Sequence, residues 1–339
     1  MVYRGEAGGS RQPRPDTSRA GPRQPPPHVQ SVVFSGNTKH PSGAVQACTR
    51  VWEKGRLLYF TEHAEPGLWE DYWSGLITRG YYEKYEHGEL DELAPFAEKL
   101  FTKEDRILDA GCGSGRFVVS LLSRGFRNVE GIDCGQETID RARAVFPDLP
   151  VRVGDAMRID SRDDYYDGYI SLGVVEHRQE GPEPYLREAY RVLKPGGRAF
   201  FSVPYVNPLR ELKHRIGCFR GTRGNTAAFY QCAFSKVEFL TLLTEAGFEV
   251  IAARGVAGYH TLRQELPCLV SFLKSVPGGL RVLGYLKGSG WIDHYGHMIL
   301  FVCRKPSPGT GFRAQPRPGE RSVLTHRRAH GSVSDGAKP

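Results

Sequence analysis

The stretch Arg106-Ile107-Leu108-Asp109-Ala110-Gly111-Cys112-Gly113-Ser114-Gly115-Arg116 decides how this chain is read. Ile107, Leu108 and Ala110 make a short apolar run suited to a buried strand. Gly111, Gly113 and Gly115 remove side chains at alternate positions, so the backbone can turn tightly and a ligand can lie against it. Phe117-Val118-Val119-Ser120-Leu121-Leu122 then reads as the first turns of a packed helix. A strand, a glycine loop and a helix start in that order leave unpaired N–H groups and the positive end of a helix dipole facing one spot, which favours a carboxylate or phosphate. Glycines also serve any sharp strand-to-helix turn, so the loop alone is compatible with a purely structural role.

The acids downstream favour a ligand. Val129-Glu130-Gly131-Ile132-Asp133 ends a second apolar run in a carboxylate. It lies about 20 residues beyond the loop, the interval that sets the tip of the next parallel strand beside the first and lets an acid reach ribose hydroxyls. Val151-Arg152-Val153-Gly154 ends in the same way, in Asp155-Ala156. A nicotinamide or flavin site requires G-x-G-x-x-G. Here the pattern is G-x-G-x-G with Arg116 next, and a dehydrogenase has no need of the Asp155-Ala156 pair.

With Ser171-Leu172-Gly173-Val174-Val175-Glu176-His177 and Arg191-Val192-Leu193-Lys194-Pro195-Gly196-Gly197, these segments resemble, in order, the successive motifs of class I S-adenosylmethionine-dependent methyltransferases. The likeness is closest to the subgroup acting on small molecules, quinones, sugars and lipids. It is close over residues 90–203 and looser over 234–305. The resemblance implies an α/β, doubly wound, Rossmann-like sheet of seven strands in the order 3-2-1-4-5-7-6, the last strand antiparallel. It implies S-adenosyl-L-methionine as cofactor, with Gly111 and Gly113 against its methionine part and Asp133 on the ribose hydroxyls. Asp155 and the Ala156 N–H would meet the adenine edge, Asp109 would orient the amino group, and Cys112, Cys134 and Leu172 would line the same site.

Length and charge set the frame. The 339 residues allow one domain with insertions or two small ones, and the net charge is +8. Residues 1–30 carry five Arg against Glu6 and Asp16, and 305–339 carry five Arg and two Lys against Glu320 and Asp335, so 31–304 is neutral. The basicity belongs to two tails, 1–45 and 305–339, whose Pro, Gly, Ser and Arg content predicts disorder. The tails leave open a loose contact with anionic lipid or nucleic acid. The seven cysteines are scattered, without a C-x-x-C pair, which points to free thiols in a reducing compartment and to a cytoplasmic protein. Cys112 and Cys134 read as space-fillers rather than nucleophiles. There is neither a signal-peptide core nor a run of roughly 18 apolar residues.

Between the tails, 46–304 is expected to form the methyltransferase domain. Residues 46–85 are rich in aromatics, including Trp52, Tyr59, Phe60, Trp69, Tyr72, Trp73, Tyr81, Tyr82 and Tyr85. They suit either the family's cofactor lid or a helical pair packed on the domain. The spacing predicts a helix leading up to Phe101 with Pro95 near its start or a kink, and helices over 136–146 and 184–193. Lys194-Pro195-Gly196-Gly197 reads as a turn before a strand at 200–203. Ser235 to Glu238 has capping-box spacing, and strands are expected at 248–253 and 297–303. Insertions at 204–234 and 255–294, with the lid, would build the acceptor pocket.

Methyl transfer from a sulfonium is an in-line displacement, so positioning can supply up to about 7 to 11 kcal/mol. A base is needed only if the acceptor must lose a proton. His177 is the candidate, since it follows the fourth strand and imidazole titrates near neutrality, although it could equally cap a turn or line the pocket. A metal on Glu176 and His177 lacks further ligands. Methylases of exocyclic base amines carry Asn or Asp followed by Pro-Pro where this chain has Leu172 to Val175, and cytosine C5 methylases carry a Pro-Cys nucleophile in that neighbourhood; neither occurs between Tyr169 and His177, and Pro267-Cys268 falls in the late insertion, so specific nucleic acid is not the expected acceptor. A small-molecule or lipid-like acceptor is, with O-methylation the leading chemistry. The contrasting reading is a catalytically silent relative that uses the fold for binding. Residues 266–291 are apolar with scattered cations and could form two short amphipathic helices, either a packed cap or a peripheral membrane contact.

Overall fold

The computed structural model describes residues 49–61, 73, 75–87, 94–219, 227–288 and 294–309. The expected tail 1–45, Trp69, Tyr72, Leu90 and Leu93 lie outside the described residues, as does the C-terminal tail beyond 309.

The chain begins with a hairpin, β1 (Thr49–Glu53) and β2 (Arg56–Thr61). Lys54 and Gly55 turn it with φ of 50° and 82°. Two consecutive left-handed residues match the right-handed twist of a two-residue hairpin loop. Helices α1 (Arg79–Glu86) and α2 (Ala94–Leu100) follow, Pro95 sitting in the first turn of α2. Then strands and helices alternate: β3 (Arg106–Ala110), α3 (Arg116–Ser123), β4 (Asn128–Asp133), α4 (Gln136–Val145), β5 (Val151–Val153), β6 (Tyr166–Leu172), a 3₁₀ turn (Val175–His177), α5 (Glu183–Val192) and β7 (Leu193–Pro204). After β7 come α6 (Pro208–Arg215), β8 (Ala228–Ala233), α7 (Lys236–Glu245), β9 (Glu249–Val256), α8 (Gly258–Glu265), α9 (Pro267–Ser275), α10 (Gly279–Gly288) and β10 (Met298–Arg304).

The main sheet runs β5-β4-β3-β6-β7-β10-β9, parallel except for β10, which is antiparallel to both neighbours. Numbered by order within this sheet, that is 3-2-1-4-5-7-6, the predicted order. Apolar side chains fill both faces, as a continuous apolar strand requires. Leu108, Ala110 and Ile132 face Leu186 and Ala189 of α5 and, further along, Phe239 and Leu243 of α7. Ile107, Ile170 and Phe200 belong to the opposite layer with Val118 and Leu121 of α3 and Ile139 and Ala142 of α4.

Three expectations need correction. Residues 49–61 are a hairpin rather than part of a helical pair, and it forms a second sheet with β8 of the first insertion in the order β1-β2-β8. Lys194 to Gly197 do not precede the strand but lie inside β7, which starts at Leu193 directly after α5. Tyr166 of β6 pairs with Leu193 and Gly168 with Arg198, so the extra residues bulge out of the ladder, with Gly196 at φ 82°. The Gly196 and Lys305 backbones capture them: Gly196 N–H donates to Lys305 O at 2.7 Å and Lys305 N–H to Gly197 O at 2.9 Å. Lys305, assigned above to the tail, is buried and donates through Nζ to Asp164 and to the Tyr190 and Leu193 carbonyls.

The second insertion is held to the sheet by a buried charge cluster. Arg210 of α6 is fully buried; its Nε donates to Glu265 Oε1 at 3.0 Å and its other nitrogens reach the Tyr205 and His297 carbonyls, Gln264 Oε1 and His297 Nδ1. Lys213 and Arg50 also converge on the Glu265 carboxylate, each at 2.7 Å. Burial raises the Glu265 carboxyl, but Arg210, Lys213 and Arg50 outweigh it and hold the group below the usual carboxylate range. One acid thus ties the N-terminal hairpin, both insertions and the edge of the main sheet. Glu265→Gln is expected to cost about 3 to 5 kcal/mol, because buried cations lose their counter-ion. Urea denaturation measures it, and a loss below about 1 kcal/mol would mean the cluster rehydrates.

Candidate active site

The glycine loop leaves the carboxyl end of β3, and β4 fixes it from the side. Gly111 N–H and Cys112 N–H both donate to Ile132 O, at 2.8 and 2.9 Å. One residue on, Asp133 Oδ2 accepts Gly113 N–H at 2.8 Å while Oδ1 accepts Gly135 N–H at 2.9 Å. The carboxylate therefore bridges the cofactor loop and the start of α4. Burial pushes its pKa up to about 6 against the pull of those two N–H groups and that of Cys134. A carboxylate offers about four acceptor sites, one more than these three N–H groups use.

Gly111 and Gly113 are glycines for two reasons at once. Both have left-handed φ, 85° and 52°. A Cβ at Gly111 would lie 2.4 Å from Val174 Cγ2, and one at Gly113 would lie 2.7 Å from the Trp73 ring. Trp73 is buried on the loop, and α1 packs beside it. Tyr82 donates to Ser114 O at 2.6 Å, Tyr81 and Ser114 share a hydroxyl contact at 3.1 Å, and Arg116 reaches the Tyr85 hydroxyl at 3.3 Å. Of the two readings of the aromatic segment, Trp73 and α1 thus lie against the loop, whereas Tyr59 and Phe60 belong to the hairpin.

The other predicted positions fall along the same carboxyl edge. Asp155 follows β5 half-buried, its Oδ1 accepting Met157 N–H at 2.8 Å, and Ala156 is buried beside it. Leu172 ends β6 and is half-buried, as is Cys134 just after β4. Asp109 is buried one residue before the end of β3. Cys112 is buried too; its Sγ is where a Cβ on Gly131 would have to go, 2.8 Å away. Burial and the nearby Asp109 and Asp133 carboxyls push its thiol well above the ordinary range, consistent with a space-filler.

His177 sits in the 3₁₀ turn after β6 with its side chain fully buried. Its Nδ1 lies 2.8 Å from Tyr230 O on β8, so Nδ1 carries the proton and Nε2 is the basic nitrogen. Burial pushes the imidazole down to about 4 despite the Tyr230 and Gly173 backbone groups, so it is neutral at pH 7. Glu176 is equally buried, with Oε1 4.0 Å from His177 Nε2. Burial raises its carboxyl to about 8, so it too is neutral at pH 7. No group of three or more His, Cys, Asp or Glu side chains arranged to hold a metal occurs among the described residues. Sequence reading offered Trp73 only within a possible lid and missed Tyr230 as a partner of His177. Trp73 stood in the aromatic run, but nothing local marks Tyr230, 53 residues from His177.

Gly111→Ala combines a left-handed φ with the Val174 collision, and is expected to lower stability by about 1 to 3 kcal/mol. Adding Val174→Ala should recover the steric part only. Denaturation of the single and double variants separates the two terms; full recovery would refute the backbone contribution.

Residues 108–201 match the methyltransferase domain family. A probable S-adenosylmethionine-dependent methyltransferase of Mycolicibacterium smegmatis is 30% identical over 150 residues, 44% of this chain and 54% of that one. The chain thus spans about half the length of that relative. The 27-O-demethylrifamycin SV methyltransferase of Amycolatopsis mediterranei is 28% identical over 58% of this chain and 77% of its own. A ubiquinone biosynthesis O-methyltransferase of Pseudomonas putida is 28% identical over 46% and 69%. Among solved structures, a methyltransferase of Methanosarcina mazei aligns over 63% of this chain and 98% of its own at 18% identity and a TM-score of 0.45. Residues 108–201 thus carry a methyltransferase domain, and the ordered motifs and the strand order around it are those expected of class I S-adenosylmethionine-dependent methyltransferases.

Proposed function

We propose that this protein moves the methyl group of S-adenosylmethionine to an oxygen of a small or lipid-linked acceptor. The observation that carries the reading is the Asp133 carboxylate, seated between Gly113 N–H and Gly135 N–H at 2.8 and 2.9 Å, with acceptor capacity beyond its backbone contacts for a ribose hydroxyl. The residues around it fit an adenosyl cofactor. Gly111 and Gly113 keep the loop free of Cβ atoms, and Asp155, half-buried at the next strand tip, has an oxygen beyond its turn for an adenine amino group. The O-linked acceptor is supported by the two relatives whose names specify O-methylation.

When bound, the cofactor supplies an electrophilic methyl group on a sulfonium. The protein then has to orient the acceptor, exclude water and receive a proton. Burial around Glu176 and His177 meets the second need, and the neutral His177 Nε2 meets the third, its ring aimed by the Tyr230 carbonyl. An imidazole of such low basicity takes the hydroxyl proton as the methyl group transfers rather than beforehand.

Calorimetric titration with S-adenosylhomocysteine, with NADH as control, tests the cofactor. The nucleoside alone should bind, and Asp133→Ala should abolish turnover without unfolding the protein; retained turnover would refute the assignment. Ribose hydroxyls donate to the ionised carboxylate, so affinity should rise as pH passes upward through about 6 and level off above. His177→Asn should lower turnover by about 10² to 10⁴ with cofactor affinity intact. Wild-type turnover over an acceptor panel of phenols, sugars and prenylated quinones checks this, and an unchanged rate would leave His177 as pocket lining.

A further inference from the structure

The pair α9 and α10 is built unlike the rest of the protein. Within the described residues, Val270 is the one buried large side chain of α9 and Leu283 that of α10. Leu273 and Leu286 are half-buried, and much of the remaining apolar surface faces outward: Phe272 is 60% exposed, Leu280 68% and Tyr285 70%, with Leu269 and Val282 also exposed. A packed cap would have buried these side chains, as α3 and α5 bury theirs. The pair is nevertheless packed together, α9 against α10 and both against α8, whose last residue, Glu265, is locked by the Arg210 cluster. The apolar face is thus held out on a fixed support.

Its charge identifies what covers it. From Leu266 to Trp291 there is no Asp or Glu, while Lys274, Arg281 and Lys287 are interspersed with the apolar residues. Lys274 and Arg281 are exposed among them. A second copy of the same face would bring cation against cation. The terminal tails, basic and poor in apolar residues, are repelled for the same reason. An anionic lipid surface answers both features, taking up apolar side chains at the acyl boundary and pairing its phosphates with Lys and Arg.

We infer that α9 and α10 form a docking surface for an anionic membrane, with Phe272, Leu280 and Tyr285 entering the headgroup boundary. No helix among the described residues is long and apolar enough to cross a membrane, so the contact is peripheral. Topology gives it an orientation. Val256, at the end of β9, pairs with Met298, at the start of β10, and Met298 also pairs with Pro204, at the carboxyl end of β7. The helices between β9 and β10 therefore rise from the carboxyl edge of the sheet, the edge that carries Gly111, Asp133 and His177. A docked bilayer lies on the side of the molecule where an acceptor would enter. The surface itself stands whether or not the proposed methyl transfer is correct.

The test uses the full chain, so that the basic tails are present in every arm. Co-sedimentation is measured with vesicles of phosphatidylcholine alone and with added phosphatidylglycerol, for the wild type and for Phe272→Glu/Leu280→Glu, two exposed positions whose replacement should leave the melting temperature unchanged. Binding is expected with the anionic vesicles, weakened at least about tenfold by the double variant and also by raised salt. A Tyr285→Trp reporter should shift its emission to the blue on the same vesicles. If the double variant sediments like the wild type, the tails carry the binding and the inference fails. It also fails if vesicles are not bound, whether the protein is monomeric or forms a dimer that Phe272→Glu dissolves; the latter outcome would make the face a self-interface.

Discussion

The site depends on one carboxylate held between two loops. Asp133 ends β4 and accepts an N–H from the glycine loop of β3 on one side and from the start of α4 on the other. A loop of three left-handed glycines has little conformational preference of its own, so its shape in the folded protein is set by what it hydrogen-bonds to. Two N–H groups on the Ile132 carbonyl and one on Asp133 supply that shape. Burial raises the Asp133 pKa to about 6 although that contact pulls the other way, which places its ionisation within reach of ordinary pH. Holding the loop and setting its own ionisation thus meet in one side chain.

Burial also governs the far side of the site. Glu176 and His177 are adjacent in sequence and equally enclosed, and desolvation moves each toward its neutral form, the acid to about 8 and the imidazole to about 4. A neutral acid next to a neutral base avoids the cost of an ion pair in a dry pocket. It also removes the option of a preformed imidazolium, so any role for His177 in proton transfer begins with the ring as an acceptor. The Tyr230 carbonyl that aims the ring comes from β8, which pairs with the N-terminal hairpin. The first insertion thereby sets the orientation of the His177 ring.

The buried cluster on Glu265 solves a different problem. Insertions after β7 and β9 have no place in the main sheet, and apolar packing alone does not dictate how they sit. Arg210 spends its side-chain donors on Tyr205 just after β7, on Gln264 and Glu265 of α8 and on His297 just before β10, while Arg50 reaches in from the hairpin. Such a network is directional where apolar contact is not. It fixes α8, and with it the exposed helices that follow.

Much of this was legible in the chain itself. The alternating apolar runs and helical periods from Ile107 to Val203 determine a parallel, doubly wound sheet, because a strand apolar on both faces must be covered on both, and the spacing of Asp133 and Asp155 puts acids at successive strand tips. The hairpin was hidden by its aromatic content, although Lys54-Gly55 between apolar runs carried a turn signal, and the bulge at 194–197 was hidden because Lys-Pro-Gly-Gly serves a turn and an interrupted strand alike. Contacts across long separations left no local trace: Tyr230 on His177, Trp73 on Gly113, Glu265 amid three cations. Sequence by itself determined a parallel sheet and its glycine loop, since these follow from periodicity and spacing, while the strand order came from the family resemblance. The tertiary structure alone decided which buried groups are neutral, what holds the insertions and which apolar face stays exposed, since those depend on desolvation and on partners that the chain brings together only when folded.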